Sequence, residues 1–145
     1  MQLTLNRDHL EIMRQQVLSC SPQEACGLLA GKDGWVTEVF SIANKAQSPV
    51  RFRMDPIEQL NAFNRMEAAG LDLLGIYHSH PSGPETMSAT DIAEAAYSVV
   101  QIIWSLSNPQ FTEAGLQISD SWHARAYWID NGKVIEVTLQ ITEDE

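Results

Sequence analysis

Two histidines and an aspartate in the middle of the chain have the spacing of a metal site. His78 and His80 are separated by one residue, and Asp91 follows after a loop that begins at Pro81. In a β-strand, side chains two residues apart point to the same face, so both imidazoles can converge on one ion. Asp91, in the first turn of a following helix, can add a carboxylate oxygen. Two imidazoles and one carboxylate leave the fourth tetrahedral position of Zn²⁺ open to water, which is typical of a catalytic site.

Each part of this pattern also has an ordinary structural explanation. A His-x-His pair can simply be the polar face of a strand. The segment from Ser88 to Asp91 precedes an apolar run and is typical of a capping box, with Ser88 as the N-cap. A capping box does not account for the paired histidines, and a polar strand does not account for the carboxylate. The combination therefore favours a metal site.

Apolar periodicity predicts the elements that position these side chains. The first half of the chain has a helix from Asn6 towards Leu18, an apolar run over Ala25–Ala30, a turn over Gly31–Gly34 and a strand over Trp35–Ile42. A helix from Pro56 to Gly70, with Asp55 as N-cap, and a strand over Leu71–His80 follow. The second half has a helix beginning near Ser88, a strand over Gln101–Leu106 and a hairpin of Trp122–Trp128 with Val134–Ile141. Mixed helices and strands with a final antiparallel hairpin imply an α/β layered domain. Without repeats or linkers, we expect one domain over residues 1–145.

The core positions follow from the same periodicity. In the second helix, the residues expected on the buried face are Ile57, Leu60, Phe63 and Met66. Trp104, Trp122 and Trp128 are expected in the core. His9 and His123 have no suitably spaced partner, which favours ordinary helix and strand positions for them.

The stretch from His78 to Asp91 resembles the JAMM signature of the MPN/JAB metalloproteases, His-x-His-Pro-x6-Ser-x-x-Asp, at every fixed position. The upstream segment Glu24-Ala25-Cys26-Gly27 is similar to the Glu-x-Cys-Gly segment of that family. The resemblance is to the minimal prokaryotic type. It implies a cytidine deaminase-like (JAB/MPN) fold, in which a mixed β-sheet is flanked by helices.

The resemblance also implies a role for each motif residue. His78, His80 and Asp91 would bind one Zn²⁺ per chain. Glu24 would be the general acid/base, and Ser88 would donate a hydrogen bond to the tetrahedral intermediate. The implied reaction is hydrolysis of a peptide or isopeptide bond.

Two points of this interpretation stay open at the level of sequence. Spacing alone does not select Glu24, because Glu85 in the motif loop is equally acidic. The resemblance implies as substrate a ubiquitin-like or sulfur-carrier β-grasp protein that ends in Gly-Gly. Its extended tail is expected to pair with an exposed strand edge, for which Arg51-Phe52-Arg53 is a candidate. A solvated edge guarded by charge is an equally good interpretation of that segment.

Composition restricts the partners and the compartment. The formal net charge of −10 and the lack of a Lys/Arg cluster argue against nucleic acid as a partner. Cys20 and Cys26 are expected to be free thiols, because two cysteines in a chain of this size suggest a reducing compartment. No signal peptide and no membrane span are predicted, so we expect a cytoplasmic protein. A homodimer is compatible with these patterns.

Two alternatives keep the fold and change the function. The first is a non-catalytic MPN scaffold, although scaffolds of this kind have usually lost ligand residues that this chain retains. The second is a RadC-like JAMM protein, because that branch shares His-x-His-Pro-Ser-Gly. Metal uptake discriminates the first from an enzyme, and salt-dependent DNA binding would favour the second.

Overall fold

The computed structural model describes residues 2–81, 91, 98–106, 116–117 and 122–142. Two helices and eight strands lie within these residues. The helices are α1 (Arg7–Cys20) and α2 (Pro56–Ala69), and the strands are β1 (Gln2–Asn6), β2 (Cys26–Lys32), β3 (Trp35–Ile42), β4 (Asp72–His80), β5 (Val100–Leu106), β6 (Leu116–Gln117), β7 (Trp122–Asp130) and β8 (Lys133–Thr142).

Both helices begin where their N-cap residues predict, and α2 also ends at its predicted glycine, whereas α1 runs to Cys20, two residues beyond the expected Leu18. The Asn6 side chain accepts from the backbone N–H of His9, and His9 Nδ1 accepts from the backbone N–H of Asn6, which makes a capping box for α1. Asp55 caps α2, and Gly70 ends it in the left-handed conformation, with φ at 69°. The predicted helices from Asn6 and Pro56 are therefore confirmed.

Strand β2 lies at the centre of the domain and is buried on both faces. Leu29 packs into a core cluster with Leu10 and Met13 of α1, while Leu28 and Ala30 pack into a second cluster on the opposite face. A strand with two covered faces needs apolar residues at successive positions rather than at alternate ones. This explains the continuous apolar run over Ala25–Ala30.

The strands form one mixed sheet in the order β5-β4-β2-β3-β1-β8-β7-β6. An additional pairing joins β5 to β7, so seven of the strands close into a ring. Helix α1 covers one core cluster, and α2 contributes Ala62 and Met66 to the other. The ring sets β4 between antiparallel β2 and parallel β5, which brings the end of β4 beside the start of β2.

The buried face of α2 differs from the prediction. Ala62 and Met66 face the core and Phe63 is half-buried, but Ile57 is 72% exposed and Leu60 is 58% exposed. At about 100° per residue, Ile57 and Leu60 lie about 140° and about 160° around the helix from Ala62. The prediction of Ile57 and Leu60 as core residues was therefore wrong.

Other expectations have mixed outcomes. Strand β1 was not predicted, and the predicted strand edge at Arg51-Phe52-Arg53 is wrong, because these residues are not in a strand. Trp104 and Trp122 are buried, and Trp128 is half-buried against the core. Most of the helix predicted from Ser88 lies outside the described residues; within it, Asp91 is helical, whereas Val99 lies in a bend before β5.

Cys20 and Cys26 are free thiols, as expected. Among the described residues, no helix has both the length and the apolar character that a membrane crossing requires.

Candidate metal centre

The three predicted ligands meet at one point. His78 Nε2 lies 3.0 Å from His80 Nε2, because both side chains leave the same face at the end of β4. Asp91 reaches the same point from its helical position. Its Oδ1 is 3.2 Å from His78 Nε2, and its Oδ2 is 3.0 Å from His80 Nε2. All three side chains are buried, with at most 8% of each exposed.

This spacing fits a tetrahedrally coordinated ion. Ligand atoms about 2.0–2.1 Å from Zn²⁺ lie about 3.3–3.4 Å from one another in a tetrahedron. The two imidazole nitrogens lie 3.0 Å apart, close to that edge length, and each lies 3.0–3.2 Å from one of the two Asp91 oxygens. Two imidazole nitrogens and a carboxylate oxygen are also the donor types that Zn²⁺ accepts. The donor set therefore fits a divalent metal ion.

Burial favours the neutral form of His78, which is the form that a metal ligand needs. Burial lowers the pKa of its imidazole, an effect that the hydrogen bond and charge of Asp91 oppose. The Phe52 ring stacks on the His78 ring with centroids 4.6 Å apart and planes 23° apart. Phe52 therefore forms one wall of the site and restricts the orientation of the imidazole.

Glu24 brings a carboxyl group to the same cluster. Its carboxylate, His78 and His80 each offer one atom, and these atoms lie within 4.8 Å of one another. Glu24 is 3% exposed, and its Oε1 has no hydrogen-bond partner among the described residues. Burial is the main cause that raises the pKa of Glu24 to about 7. The charge of His80 opposes this rise, and the charge of Asp91 adds to it. Such a carboxyl can accept or release a proton near neutral pH.

Ser79, between the two histidines, ties their strand to the segment that carries Glu24. Its hydroxyl accepts from the Ala25 backbone N–H at 2.8 Å, and its own N–H donates to the Ala25 carbonyl at 3.0 Å. Both residues are fully buried. These two bonds extend the β2–β4 pairing by one residue, so the position of Glu24 is coupled directly to that of His78 and His80.

Gly27 explains the glycine of the Glu-x-Cys-Gly segment. A Cβ atom at this position would overlap both the ring of Tyr77 and the backbone carbonyl of Phe40. The missing side chain lets Tyr77 of β4 pack directly over β2, next to His78. Burial also raises the pKa of the neighbouring Cys26 thiol to about 12, so Cys26 is a core thiol and not a thiolate ligand.

The other candidate residues fall into two groups. Ser88 and Glu85 lie outside the described residues, so their predicted roles stay predictions. His9 belongs to the cap of α1, and His123 is a buried residue of β7, as expected. Phe52 and Ser79 were missed. Ser79 occupies the variable position of His-x-His, and no local pattern places Phe52 against His78.

Comparison with known proteins identifies the family. A family model described as prokaryotic homologs of the JAB domain matches residues 6–125. This range includes Glu24, both histidines and Asp91. The chain therefore belongs to the prokaryotic JAB family, the class with which its motif and sheet agree.

Several relatives carry functional names, among them a desampylase and a conjugate cleaving protease. A desampylase of Pyrococcus furiosus is 43% identical over 77 residues, which are 53% of this chain and 55% of that protein. A probable TtuB-protein conjugate cleaving protease of Thermus thermophilus is 40% identical over 103 residues, which are 70% of this chain and 69% of that protein. The match thus spans about half the length of the first relative and about two thirds of the second.

Solved structures confirm the fold class. A protein of Desulfitobacterium hafniense, known from a solution structure, is 36% identical and has a TM-score of 0.82 over 99% of this chain and 94% of its own. A JAB1/MPN domain protein from Archaeoglobus fulgidus is 20% identical, with a TM-score of 0.59 over 97% of each chain. The predicted JAB/MPN fold, a mixed sheet with flanking helices, is confirmed.

Proposed function

We propose that this protein is a zinc-dependent hydrolase that cleaves a peptide or isopeptide bond after the C-terminal Gly-Gly of a ubiquitin-like or sulfur-carrier β-grasp protein. The observation that carries this proposal is the convergence of His78, His80 and Asp91 within 3.0–3.2 Å, with the buried carboxyl group of Glu24 beside them. A non-catalytic scaffold has no need for such an arrangement.

The proposed chemistry divides between the ion and the side chains around it. When bound, zinc supplies a Lewis acid that polarises the scissile carbonyl and makes the attacking water more acidic. Glu24 takes the proton of that water and delivers it to the leaving amine, which is work typically worth about 10²–10⁴-fold in rate. Burial raises the pKa of Glu24 in the metal-free site to about 7, and the charge of a bound cation would favour the carboxylate form that accepts the proton.

The role of Ser88 in the proposal rests on the resemblance alone, whereas the role of Glu24 also has a distance behind it. Ser88 is assigned as the hydroxyl that donates to the oxyanion of the tetrahedral intermediate, a contribution typically worth about 10²–10³-fold. Glu24 is preferred to Glu85 as the base because Glu24 lies within 4.8 Å of both histidines.

A protein substrate accounts for exposed apolar side chains in the chain segments on either side of Phe52. The segment that contains Phe52 and the first turns of α2 expose Val50, Ile57 and Leu60, with 74%, 72% and 58% of each residue accessible. We call these three residues the docking surface. Phe52 itself stacks on His78 and forms a wall of the metal centre. In the sequence, Val50 precedes Phe52, and Ile57 and Leu60 follow it. The relatives' names, which refer to a desampylase and to protein conjugates, support the same substrate class.

Cleavage after Gly-Gly is the first test. The zinc-loaded protein is incubated with β-grasp proteins extended beyond their terminal Gly-Gly, and the products are identified by mass spectrometry. We expect release of the extension with the β-grasp protein ending in Gly-Gly. A matched substrate with Ala-Ala in place of Gly-Gly is expected to be cleaved at least about tenfold more slowly, because the site discriminates by transition-state fit.

Two outcomes would contradict the proposal at different levels. Cleavage of an unrelated peptide, without cleavage of any β-grasp protein, would refute the substrate class and preserve the hydrolase. A purified protein that contains no zinc and takes none up would favour the scaffold.

The docking surface gives a second prediction. Leu60→Asp is expected to raise the KM for the β-grasp substrate by about tenfold or more, since an unpaired carboxylate in an apolar contact costs at least about 1–3 kcal/mol. The kcat value should change little, because Leu60 does not touch the reacting groups. Steady-state kinetics with the protein substrate measures both constants.

The control is Ile135→Asp on β8, which makes the same kind of change at another exposed apolar residue, 48% accessible. Equal KM values for the two variants would show that Leu60 does not contact the substrate.

A further inference from the structure

Asn44 follows β3 and makes four hydrogen bonds through its side chain. Its Nδ2 donates to the carbonyl of Glu24 at 2.9 Å and to the carbonyl of Arg51 at 3.1 Å. Its Oδ1 accepts from the backbone N–H groups of Ala46 and Arg53, both at 2.9 Å. A primary amide has two donor hydrogens and two acceptor lone pairs. The hydrogen-bonding capacity of the side chain is therefore used completely.

The partners also fix the orientation of this amide. Two of them are carbonyl oxygens, which need a donor, and two are N–H groups, which need an acceptor. A flipped amide would break all four bonds, so the assignment of oxygen and nitrogen is unambiguous. No other side chain of similar size offers the same combination, because aspartate cannot donate and serine has only one donor.

The four bonds connect two parts of the metal centre. One bond holds the backbone of Glu24, whose own N–H donates to the Ser48 carbonyl at 2.8 Å. Two others hold Arg51 and Arg53, which flank Phe52 in the chain. Phe52 in turn stacks on His78. Asn44 therefore links the segment bearing the carboxyl group to the segment bearing the wall against the imidazole.

We propose that Asn44 is a positioning residue, which sets the carboxyl of Glu24 and the ring of Phe52 relative to the metal ligands. It touches neither the substrate nor the ion and acts through these two residues. The catalytic part of this inference rests on the proposed function, because it assumes that Glu24 transfers protons. The structural part, which concerns Glu24 and Phe52, does not.

The test is Asn44→Asp, which preserves the shape and both acceptor contacts and removes both donors. The new carboxylate faces the carbonyl oxygens of Glu24 and Arg51, so both segments are expected to move. Displacement of a catalytic group by about 1 Å can cost about 10²-fold in rate. We therefore expect kcat for the Gly-Gly substrate to fall about 10–100-fold, while KM stays within about threefold because α2, which carries Ile57 and Leu60, is held by its own cap at Asp55.

A second readout does not depend on turnover. Stacking of Phe52 places the His78 ring protons in the ring current of an aromatic neighbour. In the metal-free protein, the NMR shifts of these protons, assigned with a His78→Gln variant, are expected to move in Asn44→Asp. The matched control is Asn131→Asp at the exposed β7–β8 turn, where aspartate before Gly132 also suits the turn. This control should leave both the shifts and kcat unchanged.

A measurement on the wild-type protein covers the case in which Asn44→Asp does not fold. The side-chain amide protons of Asn44 should exchange with solvent much more slowly than those of Asn131, because the two Asn44 protons are donated to the backbone carbonyls of Glu24 and Arg51. Exchange as fast as that of Asn131 would overturn the inference. So would an Asn44→Asp variant with wild-type kcat and unchanged His78 shifts. If the wild type cleaves no substrate, the proposed function fails, and the NMR results still decide the positioning of Phe52.

Discussion

Glu24→Gln is expected to keep its zinc and to lose turnover, with kcat lower by about 10²–10⁴-fold. The amide has the size of the carboxyl group and cannot accept the proton of the attacking water. The variant should fold, because Glu24 is 3% exposed and a neutral amide is less costly to bury than a charge. Metal analysis and steady-state kinetics on the same preparation measure the two quantities separately.

The control for this variant is Glu67→Gln, an exposed position near the end of α2. It replaces a carboxyl group with an amide in the same way and should leave kcat unchanged. Wild-type activity in Glu24→Gln would transfer the role of base to Glu85 or to another group, and would leave the metal site intact. Loss of zinc from Glu24→Gln would instead make Glu24 a ligand.

Asp91→Asn is expected to lose both zinc and activity. The substitution removes the negative charge that faces His78 Nε2 and His80 Nε2 at 3.2 and 3.0 Å. Substitutions outside the ligand set typically weaken metal binding by about 10–100-fold, so loss of a ligand carboxylate should weaken it by more. Competition with a chelator measures the zinc affinity. In the wild type, removal of zinc should abolish activity, and added zinc should restore it.

Asp72→Asn is the matched control for the aspartate. Asp72 pairs with Lys32 at 3.3 Å on the surface, with 63% of its side chain exposed, and such pairs contribute little to stability. Zinc affinity equal to that of the wild type in Asp91→Asn would exclude Asp91 from the ligand set and would leave two histidines as ligands.

The sequence patterns predict those features that depend on nearby residues. Caps at Asn6 and Asp55 and the glycine at Gly70 depend on local backbone chemistry, and the structure has all three as predicted. The two-residue spacing of His78 and His80 needs only a strand, and β4 supplies it. The convergence of Asp91 with the histidines was inferred from sequence and agrees with the distances.

The patterns do not predict contacts between distant segments. Phe52 stacks on His78, and the Ser79 hydroxyl accepts from the Ala25 N–H. The residues in each pair are far apart in sequence, so no local periodicity predicts their contact. These contacts depend on how the strands are ordered in the sheet. Asn44 is similar, because an asparagine after a strand is ordinary in sequence and becomes informative only when its four partners are known.

The error on α2 has a different physical origin. Ile57, Leu60, Phe63 and Met66 have helical spacing, and periodicity alone assigns them to the core. The helix instead packs through the small residue Ala62 and through Met66, which turns Ile57 and Leu60 outward. Periodicity finds an apolar stripe, but it does not say whether the protein itself or a partner covers it.

The closed ring of strands restricts how a substrate can approach. Strands β2, β4 and β5 each have a hydrogen-bonded neighbour on both sides. None of these three offers its backbone to an incoming chain, so a flexible tail cannot extend the sheet beside the histidines. A tail that reaches the histidines is therefore expected to cross the ends of these strands instead of pairing with one of them. Because the backbones of these strands are already paired, recognition of such a tail is expected to come from side chains around the strand ends.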